Sequence, residues 1–226
     1  MIIAISGLTI EQGWRGWLRH RRGNAGAGKD EAAKQLIQKH NYTPLAFADP
    51  LKRFLADIFD WTEEQLWGPS ENRSKEDLRY KRWVKDTISY RKESTSTIPV
   101  GLTIRHSLQS LGNDWGREMC CIDTWVLYAM RVAKKIESGE YHYDRVKGLL
   151  QYGKPGCPIL VGEPRTNVVI TDLRYKNEAE AVRAAGGMLV RCKRWVPKIK
   201  VTPTHASEND LLDLHDDDFD WILRNR

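Results

Sequence analysis

The stretch Gly23-Asn24-Ala25-Gly26-Ala27-Gly28-Lys29 constrains this chain more than any other feature. It has the spacing G-x-x-x-x-G-K. It opens onto KDEAAKQLIQKH (residues 29–40), where Ala33, Leu36, Ile37 and His40 fall on one side of a helix. Glycines let backbone N–H groups turn inward around phosphate oxygens, and the N-terminus of the following helix adds partial positive charge. Upstream, residues 2–6 form a short, continuous apolar run, the pattern of a parallel strand buried on both faces. Strand, glycine loop and helix in that order predict an ATP phosphate site. Gly26, Ala27 and Gly28 wrap the phosphates, Lys29 reaches the β- and γ-phosphates, and Asp30 and Glu31 complete the ATP-binding set.

Two features set this loop apart. The residue after the lysine is Asp30, where a Ser or Thr hydroxyl usually meets Mg²⁺. Its carboxylate can hold the metal directly or through water, or serve the helix by capping and dipole compensation. The loop is also separated from its strand. Removing Thr9–Asn24 would leave GLAGAGKD, a complete loop starting at Gly7; removing Gly7–Arg22 would instead make Gly23 the first glycine. The intervening segment carries Trp14, Trp17, Arg19, His20, Arg21 and Arg22. It reads as a tolerated excursion, or else as extra nucleotide or nucleic-acid contacts through stacking and charge.

Along the rest of the chain, residues 44–48 predict a second short strand, and Asp49-Pro50 opens a helix to about Asp60. Residues 70–98 are polar and charged and read as helix plus mobile loop. Residues 103–119 and 123–138 read as two helices. Dense Gly and Pro over 139–166 reads as loop or insertion. Residues 167–171 and 188–193 are strand candidates around a helix at 175–185; a helix near 207–214 and a short segment at 219–223 close the chain. Alternating strand and helix predict an α/β fold with a parallel sheet.

At 226 residues the chain can build one large domain with its own core. A net charge of +6 suits anionic small substrates as well as nucleic acid, and nucleic acid is the less favoured partner. The four cysteines lack CxxC pairing and read as reduced thiols of a cytoplasmic protein. Met1–Ile5 lacks a basic flank and the length of a signal peptide. No run of about 18 apolar residues spans a membrane.

A second half-site follows from residues 167–171. Asp172 comes directly after this strand candidate, where phosphate-loop enzymes orient Mg²⁺, and Arg174 can neutralise phosphate charge during transfer. Asp172 could instead cap the next helix. Arg105 and Gln109 are four apart and share a helix face, with Arg117 further along. Such an amide can meet a base edge, and an arginine can clamp a phosphate bidentately.

Five stretches together resemble the phage-type deoxynucleoside monophosphate kinases, a branch of the P-loop nucleotide kinases. They are ISGL…AGAGKDEAA, FADPLKRFLADIF, RHSLQSLGNDWGRE with Trp125-Val126, VVITDLRYKNEAEAV with Gly186-Gly187, and THASEND with the Asp220–Asn225 tail. The resemblance implies a three-layer α/β P-loop NTPase fold. Its parallel sheet is flanked by helices, with helical and loop insertions forming a lid and acceptor pocket. It implies one domain over 1–226, an atypical insertion near 9–24, and lid or acceptor insertions near 62–100 and 139–166. The implied partners are ATP, Mg²⁺ and a deoxynucleoside monophosphate (dNMP), without a membrane, in the cytoplasm (the host's, for a phage protein), with a homodimer as the implied assembly. Lys29, Arg117 and Arg174 would be catalytic, and Asp30 and Asp172 would serve the metal. Arg105, Gln109, Arg117, Trp125, Asp172 and Arg174 would line the acceptor pocket, with His205, Ser207 and Glu208 near the nucleotide. Other readings are phosphomevalonate kinase, the more remote dephospho-coenzyme A kinase, a nucleic-acid-binding P-loop ATPase, and a phosphate-loop protein disabled by its insertion.

Overall fold

The structure is a computed structural model describing residues 1–11, 22–23, 27–85, 97–159, 162–196, 211 and 214–225. Its chain divides into two compact units. One comprises Met1–Asp49 with Asp123–Arg226, and the other Pro50–Ile122.

The first unit is built on a parallel sheet. β1 (Ile2–Glu11) lies between β9 (Met188–Val196) and β8 (Val168–Ile170); β10 (Trp221–Asn225) extends beyond β9, and β3 (Thr43–Leu45) beyond β8. A short β2 (Arg22–Gly23) runs antiparallel to the end of β1. The apolar run at the N-terminus is continuous because alternate residues supply two cores. Ile3 and Ile5, with Val169, Val190 and Cys192, pack beneath α1 (Lys29–His40) through Ala33. Ile2 and Ala4, with Leu45, Val168, Ile170 and Leu189, face the other way. There they meet Val126, Ala129, Val132, Ala133 and Ile136 of α5 (Thr124–Glu137) and Ala179 and Val182 of α6 (Lys176–Ala184). Helices on both faces of a five-stranded parallel sheet make the three-layer α/β arrangement predicted from the sequence.

The separation between strand and loop takes a definite form. β1 does not stop at Ser6 but runs to Glu11, with Thr9, Ile10 and Glu11 beside Arg194, Trp195 and Val196 of β9. The chain returns as β2, with Thr9 opposite Gly23 and Ile10 opposite Arg22. The inserted segment therefore leaves and re-enters at adjacent points, because antiparallel partners lie about 5 Å apart.

Residues 139–166, read as loop, contain a hairpin of β6 (Tyr141–Asp144) and β7 (Gly148–Gln151). Gly148 there adopts φ 87°, a conformation open to glycine. The hairpin is fastened by its side chains, which glycine counting does not register. The Tyr143 hydroxyl donates to Asp49 Oδ2 at 3.1 Å, and Arg145 Nε lies 3.5 Å from Oδ1.

The second unit holds most of α2 (Asp49–Phe59), α3 (Glu63–Trp67), and a hairpin of β4 (Glu76–Lys85) and β5 (Thr97–Thr103). Helix was expected over part of 70–98; the strand prevails because it pairs with a partner distant in sequence, which overrides local propensity. The helix expected over 103–119 is α4 (Ile104–Gln109) continuing as a π-helical segment, Ser110–Cys120. The core here is Leu55, Trp61, Leu66 and Ile104, with Phe59 stacked on Trp61 at 4.6 Å. Most of the helix expected near 207–214 lies outside the described residues. Among the described residues, no helix is long and apolar enough to cross a membrane.

Candidate functional site

The site begins where α1 begins. Gly28 is its N-cap, at φ 93° and ψ 14°, a left-handed conformation that strains any residue with a Cβ. Its carbonyl accepts the Ala32 N–H at 3.1 Å, closing the first turn. Ala27 before it is fully buried and anchors the chain against the α1 side of the sheet. Lys29 follows half-buried, while Asp30 and Glu31 are exposed, with Glu31 3.9 Å from Lys34. The first N–H groups of a helix lack intrahelical acceptors, so this end can receive an anion. Gly26 lies outside the described residues.

Cys192 on β9 is the buried neighbour of this turn. Burial pushes its thiol up to about 11; the Lys29 charge opposes the rise and Asp30 adds to it. Both first-turn charges are therefore felt at Cys192. Asn225, from β10, packs against Gly28 and reaches the Ala27 carbonyl at 3.5 Å.

The second element is the end of β8. The Thr171 N–H donates to the Leu45 carbonyl, continuing the ladder with β3. Asp172 then takes the Phe47 N–H on Oδ1 at 2.9 Å and the Ala48 N–H on Oδ2 at 3.1 Å. Asp172 does not cap α6. Glu178, itself buried, does that work, accepting the N–H groups of Arg174 at 2.7 Å and Tyr175 at 3.0 Å. Asp172 thus fixes the turn that follows β3, and each of its oxygens keeps a lone pair for a further partner.

That same turn is held a second time. Asp49, fully buried, accepts the Ala46 N–H at 3.0 Å as well as the Tyr143 hydroxyl. Sequence reasoning passed over Asp49 as an ordinary helix opener. The available signal was an acid at a helix start directly after the apolar run Leu45-Ala46-Phe47-Ala48.

In the second unit, Arg105 is exposed and bonded to two hydroxyls, Nε to Ser74 Oγ at 3.0 Å and Nη2 to Ser70 Oγ at 3.1 Å. Gln109 ends α4, and Arg117 lies on the π-helical segment; both are half-buried. Lys52, a buried cation 5.4 Å from the Trp67 ring, was missed because a lysine in an amphipathic helix reads as solvated surface. A cleft of about 280 Å³ in this unit is lined by Trp61, Gln65, Asn72, Lys75, Asp77 and Arg79, among others. Asp77 there is already engaged: the Arg79 guanidinium, then the Trp61 N–H, hold its carboxyl well below the usual carboxylate range.

Ala27, Gly28, Lys29, Asp30, Glu31, Trp125, Asp172 and Arg174 thus belong to the first unit, where Trp125 packs half-buried against the main core. Arg105, Gln109 and Arg117 belong to the second. His205, Ser207 and Glu208 lie outside the described residues. Among the described residues, no three His, Cys, Asp or Glu side chains group to hold a metal. Mg²⁺ commonly takes one or two carboxylates plus phosphate oxygens and water. The exposed carboxylate of Asp30, beside an anion-receptive helix end, fits that donor set.

No family model matches the chain. A protein of Acanthamoeba polyphaga mimivirus named "Putative deoxynucleotide monophosphate kinase" is 28% identical over 204 residues. The match covers 90% of this chain and 85% of that one.

Proposed function

We propose that this chain is a nucleotide kinase that moves the terminal phosphoryl group of ATP to a deoxynucleoside monophosphate, releasing the diphosphate and ADP. One observation carries the reading: a lysine opens α1 directly after a left-handed glycine, on a parallel sheet of three-layer architecture. The name of the mimivirus relative supports the acceptor class. The whole chain would act as one kinase domain, with insertions near 9–24, 62–100 and 139–166.

In this reading Gly26, Ala27 and Gly28 present N–H groups to the ATP phosphates, and Lys29 follows the charge that moves to the leaving oxygen. Asp30 and Asp172 are the carboxylates that would hold Mg²⁺, directly or through water, and the ion would supply neutralisation of phosphate charge. Arg174 and Arg117 stabilise the transferring group. Arg105, Gln109 and Trp125 receive the acceptor, with His205, Ser207 and Glu208 near the nucleotide. The acceptor oxygen is already ionised, so in-line placement and exclusion of water matter more than a general base.

The test is a coupled ADP-release assay with ATP, Mg²⁺ and each of the four dNMPs, on wild type, Lys29→Ala and a deletion of Thr9–Asn24. Turnover that vanishes in Lys29→Ala supports the kinase and ranks its bases. Activity only in the deletion variant means the insertion disables an intact site. Silence in both folded proteins, with steeply salt-dependent DNA binding, would replace the kinase by a nucleic-acid-binding ATPase.

A further inference from the structure

We infer that Asn225 is a positioning residue for the phosphate loop, setting the direction of the Gly28 N–H from the far end of the chain. The inference rests on the reading of Gly26–Lys29 as an ATP phosphate site.

Register brings Asn225 to the loop. In β10, Trp221 pairs with Val190, Leu223 with Cys192 and Asn225 with Arg194. Val190 and Cys192 belong to the core beneath α1. Alternation along a strand therefore puts Trp221, Leu223 and Asn225 on the α1 side of the sheet. Asn225, the last of the three, reaches the start of α1.

Contact follows from that placement. A Cβ on residue 28 would lie 2.6 Å from Asn225 Nδ2, 3.4 Å from its Cγ and 3.7 Å from its Cβ. The carboxamide thus fills the space that glycine leaves open. Nδ2 also points its donor at the Ala27 carbonyl, 3.5 Å away, across 198 residues of sequence. This bond is long, and close packing adds to its hold.

The consequence is directional. The Ala27 carbonyl and the Gly28 N–H belong to one planar trans peptide, so they point in opposite directions. A donor that keeps the carbonyl toward β10 keeps the N–H turned away from β10. A phosphate loop needs its N–H groups toward the anion and its carbonyl oxygens away from it. Asn225 meets that need with a neutral donor. Aspartate of the same shape would offer an acceptor to a carbonyl and add negative charge beside the phosphates.

The experiment has two arms, on full-length wild type, Asn225→Ala, Asn225→Asp and Trp221→Ala. The first is hydrogen–deuterium exchange in the unliganded protein, read on the peptide containing Ala27–Lys29. The second is ADP titration by calorimetry, with the KM for ATP and for dNMP where turnover is present. Faster exchange at Ala27–Lys29 is expected in both Asn225 variants and not in Trp221→Ala. ADP should bind about tenfold more weakly to Asn225→Ala, and more weakly still to Asn225→Asp. The KM for ATP should rise while that for dNMP holds.

Unchanged exchange in the Asn225 variants overturns the inference, whatever the nucleotide result. So does equal ADP affinity in Asn225→Ala and Asn225→Asp, which would mark a merely structural contact. If wild type takes no ADP, the phosphate-site reading fails and the assignment of Asn225 to nucleotide fails with it. The exchange arm then reports a packing contact alone.

Discussion

The two ends of the proposed site treat their charged groups in opposite ways. At the start of α1, Lys29 is half-buried, and Asp30 and Glu31 stand in solvent on a turn closed by backbone bonds. At the end of β8, both oxygens of Asp172 accept backbone N–H groups, and the neighbouring turn is tied again by buried Asp49. Exposed Asp30 and Glu31 add little to stability, whereas Asp172 is part of the scaffold. Asp30 can therefore be lost with the fold intact, while loss of Asp172 disturbs the turn after β3.

The largest expected effect tests the first end. Lys29→Ala should lower turnover by about 100-fold or more, since in the proposed function this lysine neutralises charge on the transferring group. Next comes the second end. Asp172→Ala leaves the Phe47 and Ala48 N–H groups unpartnered and should cost about 2–3 kcal/mol in denaturant unfolding. Asp30→Ala should change stability by less than about 0.5 kcal/mol and raise the Mg²⁺ requirement. Equal stability losses in the two variants would show that the ends do not differ.

Tyr143→Phe sharpens the scaffold side at smaller scale. It removes one hydrogen bond to buried Asp49 and should cost about 1 kcal/mol. No loss would mean that water replaces the hydroxyl. The smallest effect concerns Cys192. With its thiol pushed up to about 11 from 9.0, it should resist a thiol reagent at about pH 8 until the protein unfolds. Cys120 and Cys121, both exposed, should react at once. Because the folded value lies above the unfolded one, the contribution of Cys192 is complete below pH 9.0 and falls away as pH rises toward about 11. Early labelling of Cys192 would show that the floor beneath α1 opens readily.

Much of the first unit was legible because its signals are local. An apolar run, a glycine before a lysine, and a helical stripe over 29–40 each follow from neighbours in the chain. The hairpin β4–β5 was not legible, since Lys81 finds Gly101 and Val84 finds Ile98 only through pairing across the intervening chain. Asp172 was located correctly at a strand end, yet its partners Phe47 and Ala48 lie 125 and 124 residues away. Arg105 was expected in the acceptor pocket without sight of Ser70 and Ser74, which hold it in this structure.

By itself the sequence determined the order of strand and helix, the glycine that can enter the left-handed region at position 28, and the lysine that opens α1. Each depends on steric or hydrophobic preferences acting within a few residues. Only the tertiary structure decided that β8 lies between β1 and β3, that Thr9 faces Gly23, that Asp49 is buried beneath Tyr143, and that Asn225 backs Gly28. These are choices of strand register and packing between distant segments, and no spacing along the chain encodes them, because many pairings satisfy the same local pattern until side chains must share one core.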